Sequence, residues 1–256
     1  MKLNYKKFGN GKPLIILHGL MGALDNWQSI AKVLAENFAV YVIDQRNHGK
    51  SAHSNDFDYH LMANDLNDFL KEQAIETCII LGHSMGGKVT MNFALQYPEK
   101  VEKLIVADIA PAQYEDQHSK IIQAIKSVDL NIVQTRDEVQ AQLSNKIHDI
   151  STVQFLMKGL YRDDSNKFQW RFNIQAIEAN YDKISDFPEH QNQFHKPALF
   201  IKGSKSNYIN SINYSSIAAL FPNNEITEIC NSGHWVHADN PNEFIKAVKD
   251  FIELKD

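Results

Sequence analysis

Four short apolar runs punctuate the first half of the chain: Leu14 to Leu17, Val40 to Ile43, Cys78 to Leu81, and Leu104 to Ala107. Each is of strand length, rich in β-branched residues, and lacks the alternation of a half-exposed strand, which is the pattern of strands buried on both faces. The segments between them carry helical periodicity, as in Trp27 to Asn37 and Leu61 to Glu72. Strands alternating with helices predict an α/β fold with a mostly parallel central sheet flanked by helices.

From about Ala112 to His190 the pattern changes to successive amphipathic pieces, Ile121 to Val128, Glu138 to Ile147 and Val153 to Leu160, with no clear strand. Strand signals resume at Ala198 to Ile201 and Glu225 to Cys230, and a last helix is expected over Asn242 to Leu254. The chain therefore reads as one core, residues 1–111 and 191–256, with 112–190 as an inserted helical cap. No internal repeat, low-complexity tract or flexible linker marks the cap as an independent domain.

Composition narrows the class of protein. A length of 256 residues with 43% hydrophobic content suits one sizeable core. The net charge of −5, with Lys and Arg scattered, offers no electrostatic footprint for nucleic acid. The first apolar run is too short for a signal sequence or a membrane span, so a cytoplasmic location without a membrane partner is expected. Cys78 and Cys230 fall in separate apolar runs, where packing explains them better than a bridge.

The sharpest chemical signal is Gly82-His83-Ser84-Met85-Gly86, a G-x-S-x-G pentapeptide. At average Gly and Ser usage such a pattern arises by accident in about one chain of this length in ten, so its flanks decide. Here it follows the run CIIL and opens a helical pattern, Lys88 to Gln96, the strand-turn-helix setting that a nucleophile elbow requires. Small residues on either side let a serine sit in a tight, strained turn. The bland alternative is a glycine-rich helix start with Ser84 as cap.

A second signal, His18-Gly19-Leu20-Met21-Gly22, directly follows the run LIIL. In a hydrolase of this type the amide after the nucleophile, here Met85, and one from this turn, here Leu20, bind the oxyanion. An ordinary turn braced by His18 is the alternative. The third, Gly233-His234-Trp235, lies after the last strand signal, where a general base would come in the order nucleophile first and His last. His48, His53, His83, His118 and His237 lack a comparable placement and read as structural or exposed.

Together the turn HGLMG, the segment DQRNHGKS from Asp44 to Ser51, the elbow GHSMGGK, the segment ADIAP, and SGHWVHA resemble the α/β-hydrolase superfamily. Within it the sequence is similar to the YbfF-type bacterial esterases, and the likeness runs from the first residues to the last helix, including WRFN at Trp170 to Asn173. The resemblance implies the α/β-hydrolase fold with the cap inserted between strands 6 and 7. It also implies Asp108 as the acid that orients His234, at the carboxyl edge of a strand. The commoner superfamily position, a G-x-x-D loop, reads Gly203-Ser204-Lys205-Ser206-Asn207 here and has no Asp. Ser206, matching a serine of that loop in the family, is carried over as a partner of the Asp and His pair.

His18, Met21, His83 and Trp235 beside these motifs, with Trp170 and Arg171 of the cap, are candidates for the substrate pocket. For Trp170 and Arg171 a structural role competes, and Asp44, Arg46 and Asn47 read as internal hydrogen bonding that shapes their loop. Asp239 is expected to cap the final helix. The activity implied is a serine carboxylesterase or thioesterase acting on small to medium acyl esters or acyl-CoA thioesters, with no metal or organic cofactor, as a monomer or homodimer. A perhydrolase, a carbon-carbon bond hydrolase, and a non-catalytic ligand-binding homologue are the alternatives.

Overall fold

The computed structural model of this chain describes residues 1–116 and 118–253. The strands, in chain order, are β1 (Asn4–Phe8), β2 (Lys12–Leu17), β3 (Phe38–Asp44), β4 (Cys78–His83), β5 (Val101–Ala107), β6 (Leu160–Arg162), β7 (Phe168–Trp170), β8 (Ala198–Gly203) and β9 (Asn224–Ile229). Seven of them form one sheet in the order β1-β3-β2-β4-β5-β8-β9. Only β1 runs antiparallel to its neighbour.

The absence of alternation in the predicted runs has its cause in two apolar layers. Leu14, Ile16, Val40, Val42, Ile79, Leu81 and Ile105 face one layer with α1 (Gln28–Leu34) and the C-terminal helix (Pro241–Glu253). The intervening residues Ile15, Leu17, Tyr41, Ile43, Ile80, Leu104 and Val106 face the other, with α2 (Tyr59–Glu72) and α3 (Met85–Gln96). Because strand side chains alternate in direction, both parities must be apolar when both faces are covered. Leu254, the predicted end of the last helix, lies outside the described residues.

Between β5 and β8 the chain leaves the sheet as α4 (Ser119–Lys126), α5 (Arg136–Ser144), α6 (Ile150–Lys158), α7 (Ile174–Ala179) and α8 (Tyr181–Ser185). Their apolar residues, among them Ile122, Ile125, Leu143, Leu156 and Ile177, join the same cluster that covers α2 and α3. The insertion thus separates the fifth and sixth strands of the large sheet rather than the sixth and seventh. The segment is also not wholly helical: β6 and β7 pair as an antiparallel hairpin. Each has three residues, too few for a two-residue period to stand out.

Cys78 is buried in β4, whereas Cys230 lies past the end of β9 and is exposed, contrary to its reading as a packed strand residue. Both thiols are free.

Candidate active site

Ser84 is the single residue between β4 and α3, and its backbone takes φ 53° and ψ −121°. A non-glycine residue in that region costs on the order of 1–3 kcal/mol, tolerated only when the surroundings dictate it. The surroundings do so. The Ser84 amide donates to the Ala107 carbonyl at 3.0 Å, and the Ser84 carbonyl accepts from the Lys88 amide at 3.1 Å. A Cβ on Gly82 would lie 2.2 Å from the Gly86 carbonyl oxygen, and one on Gly86 would lie 2.5 Å from those of Leu17 and His18. Neither position admits a side chain.

Asp108 immediately follows β5, fully buried and itself at φ 52°. Its Oδ2 bonds Nδ1 of His234 at 2.8 Å and accepts the Ser206 hydroxyl, while Oδ1 accepts the Gly203 amide at 3.0 Å. A carboxylate has no hydrogen to give, so Nδ1 carries the shared proton and Nε2 is left as the basic nitrogen. The ring of Tyr208 stacks on that of His234 with centroids 4.0 Å apart. His83 donates from Nε2 to the His234 carbonyl at 2.8 Å, and the Gly233 amide donates to Asp239 at 2.8 Å. Asp239 therefore fixes the histidine loop instead of capping the last helix. Asn240, one residue nearer that helix, receives the Glu243 amide.

Ser84 and His234 line one cleft of about 500 Å³. Among the described residues the Ser84 hydroxyl has no hydrogen-bond partner, His234 included. Such contacts tighten when substrate binds.

The turn after β2 comes close to the nucleophile: a Cβ on Gly19 would stand 3.2 Å from that of Ser84. Among the described residues, neither the Leu20 nor the Met85 amide donates to a protein acceptor, which leaves two N–H groups beside Ser84. Two buried histidines hold the turn. His18 accepts the Gln45 amide on Nε2 at 3.1 Å, and His48 accepts the Met21 amide on Nε2 at 3.0 Å. Burial pulls their pKa values down to about 4 and about 3, so both act as neutral acceptors. The loop after β3 is held both internally and to its neighbours: Asp44 accepts the Leu24 and Lys50 amides, Asn47 accepts the Ser54 amide, and Arg46 is forked onto Asp65 of α2 at 2.6 and 3.0 Å.

Of the pocket candidates, His18, Met21, His83 and Trp235 line the cleft, and Trp170 and Arg171 do not. Trp170 stacks on Phe172 with centroids 5.4 Å apart, and the Arg171 guanidinium lies over the Tyr161 ring at 5.0 Å. Both are occupied in packing the cap hairpin and its exit. Missed from sequence were Tyr208, Trp27, Phe155 and His118. His118, at the entry to α4, is drawn down to about pKa 4, chiefly by burial and then by the charge of His234. His237 stacks on Trp27 at 4.0 Å, and His53 is exposed. No periodicity marks such residues: the path of the cap brings His118 and Phe155 to the cleft, and segments after β2 and β8 bring Trp27 and Tyr208. Among the described residues no three His, Cys, Asp or Glu side chains converge as a metal ion requires, and no helix is long and apolar enough to cross a membrane.

Residues 12–241 match the family described as alpha/beta hydrolase fold. The chain is 38% identical to the sn-1-specific diacylglycerol lipase ABHD11 of Xenopus tropicalis, over 95% of this chain and 78% of that protein. It is 33% identical to Esterase YbfF of Escherichia coli strain K12, over 95% of this chain and 94% of that one. A solved marine microorganism esterase superposes with a TM-score of 0.95 at 44% identity, covering 98% of this chain and 99% of the other.

Proposed function

This chain belongs to the alpha/beta hydrolase family, and from that premise we propose that it is a serine esterase cleaving small to medium acyl esters, acyl-CoA thioesters included, through Ser84, His234 and Asp108. The observation that carries the reading is the bond from Nδ1 of His234 to the buried Asp108 in a cleft that Ser84 shares.

Nε2 of His234 takes the Ser84 proton as the hydroxyl attacks the acyl carbonyl. Asp108 keeps the ring in the tautomer that allows this and balances the imidazolium that results. The Leu20 and Met85 amides bind the negative charge that develops on the carbonyl oxygen, and they need no reorganisation to do so. His234 then protonates the departing alcohol or thiol, which leaves an acyl-enzyme on Ser84. Water, activated by the same nitrogen, releases the acid. Ser206 has no place in proton transfer. Its hydroxyl and the Gly203 amide bond the carboxylate oxygens of Asp108, which holds the buried group aimed at His234.

The test is covalent. A fluorophosphonate should label the wild-type protein once per chain and leave Ser84→Ala unlabelled, with p-nitrophenyl ester turnover lost in parallel. Equal labelling of the two would remove Ser84 from the mechanism.

A further inference from the structure

Two cavities meet at Ser84. The large cleft and a second pocket of about 40 Å³ share Leu20, Ser84, His118 and Tyr208 as walls. They differ in what else they touch. His234 and Trp235 line only the cleft, whereas Met85, Ile109, Tyr59, Tyr114, Ile184 and Lys88 line only the small pocket. We infer that the small pocket receives the acyl group and the cleft receives the leaving group, so that the substrates are esters of short acids, about two to four carbons, with bulky alcohols or thiols. This rests on the serine esterase reading above.

The assignment follows from the geometry of the tetrahedral carbon. One substituent is the Ser84 oxygen. The oxyanion must face the Leu20 and Met85 amides. The leaving atom must be within reach of the proton on His234, and that ring borders only the cleft. The acyl chain takes the direction that remains, toward the pocket on the Met85 side.

Size then sets the acyl length. At about 40 Å³ against about 500 Å³ for the cleft, the pocket leaves room for a short acyl chain only. Its walls are pinned against expansion. The Tyr59 hydroxyl donates to the Ile184 carbonyl at 2.6 Å, and that of Tyr114 donates to the Tyr208 carbonyl at 2.6 Å. At one end the Lys88 ammonium donates to the Ser185 and Asp186 carbonyls at 2.9 and 2.8 Å, which ties the helix after the nucleophile to the end of α8. A longer chain would have to break these bonds, one buried and the others partly buried, and leave their polar groups unpaired. The cleft, with more than ten times the volume, imposes no such limit on the leaving group.

The experiment is an acyl series on one leaving group, p-nitrophenyl acetate, butyrate, hexanoate, octanoate and dodecanoate, run beside methyl and naphthyl butyrate. The expected kcat/KM peaks at acetate or butyrate and falls at least about 100-fold by octanoate, while the naphthyl ester is no worse a substrate than the methyl ester. Ile184→Ala and Ile109→Ala, which enlarge the pocket, should move the optimum toward hexanoate. If neither variant folds, the wild-type series decides alone. An optimum at octanoate or beyond, with fluorophosphonate labelling intact, overturns the pocket assignment and leaves the esterase reading standing. No turnover of any ester together with no labelling of Ser84 overturns the esterase reading itself.

Discussion

The amide of Met21 donates to Nε2 of His48 across 3.0 Å, which joins the turn after β2 to the loop after β3. On its other side the His48 ring meets the Arg46 carbonyl at 2.9 Å, so Nδ1 carries the proton and Nε2 is free to accept. The same loop reaches the cap: the Gly49 amide donates to the Arg171 carbonyl at 2.6 Å, and the Asn173 amide donates to the Asn47 carbonyl at 2.8 Å. The Leu20 N–H therefore belongs to a turn held by a loop that is itself fastened to the lid. Donors fixed before substrate arrives are the ones that lower a barrier most.

His48→Ala removes the acceptor and lets the turn relax. The expected result is a fall in kcat of about 10-fold or more with little change in KM, since binding that is realised only in the transition state is what is lost. His48→Gln, whose side-chain carbonyl can accept the Met21 amide, should recover part of the loss. A lowered Tm with kcat intact in the alanine variant would show that the turn keeps its shape without the ring.

The elbow makes a second, opposite pair of expectations for one residue. Ser84→Ala keeps the strained backbone and, under the proposed mechanism in which Ser84, His234 and Asp108 act as a unit, should lose about 10⁴-fold or more in kcat. Ser84→Gly is equally inactive but relieves a positive φ, and should raise the unfolding free energy by about 1 kcal/mol. Chemical denaturation of the two variants reads this difference. A glycine variant no more stable than the alanine one would mean that the serine conformation carries no strain.

Much of this site was legible in the sequence because its constraints are local. Gly82, Ser84 and Gly86 were readable as an elbow, since the close approach of backbone at Gly82 and Gly86 is imposed by a turn of five residues. The place of His234 after the last strand was readable from chain order. Asp108 was not distinguishable by spacing from other acidic residues and came through the family likeness, because the loop at Gly203 to Asn207 has no acid. Tyr208 and His118 could not be read at all: a ring stacked on His234 from one loop, and an imidazole over the cleft from the cap, depend on how segments separated by scores of residues fold back. For Trp170 and Arg171 sequence left a pocket role and a structural role open, and the structure places both away from the cleft, in packing at the cap hairpin.

The acid and its helper should separate cleanly. Asp108→Asn leaves the hydrogen-bonding shape but favours the wrong histidine tautomer, and should lower kcat by about 10⁴-fold. Ser206→Ala removes one of three bonds to the carboxylate and leaves the His234 and Gly203 partners, so a loss of about 10-fold is expected. Steady-state kinetics on p-nitrophenyl butyrate distinguishes them. Losses of equal size would promote Ser206 from a support of Asp108 to an indispensable member of the site.

Five histidines around the cleft make stability depend on pH. Burial draws His18 and His118 to about 4, His48 and His237 to about 3, and His83 well below its ordinary value. In the unfolded chain each takes a proton near 6.5. Between that value and the folded ones the unfolded state binds more protons, so stability is full above about pH 6.5 and is lost as pH falls, one such group alone removing about 1.4 kcal/mol per unit. Urea midpoints measured at pH 7.5, 6.0 and 5.0 should descend in that order. His237→Phe offers the sharper test, because Nδ1 of His237 is buried with no partner among the described residues while its ring stacks flat on Trp27. The phenyl ring keeps the stack and removes both the orphaned nitrogen and one titrating group, so this variant should be at least as stable as wild type at pH 7.5 and should lose less on acidification. Midpoints that hold level down to pH 5.0 in the wild-type protein would mean that these rings take up protons without unfolding, and the neutral acceptor assigned to His48 would fall with them.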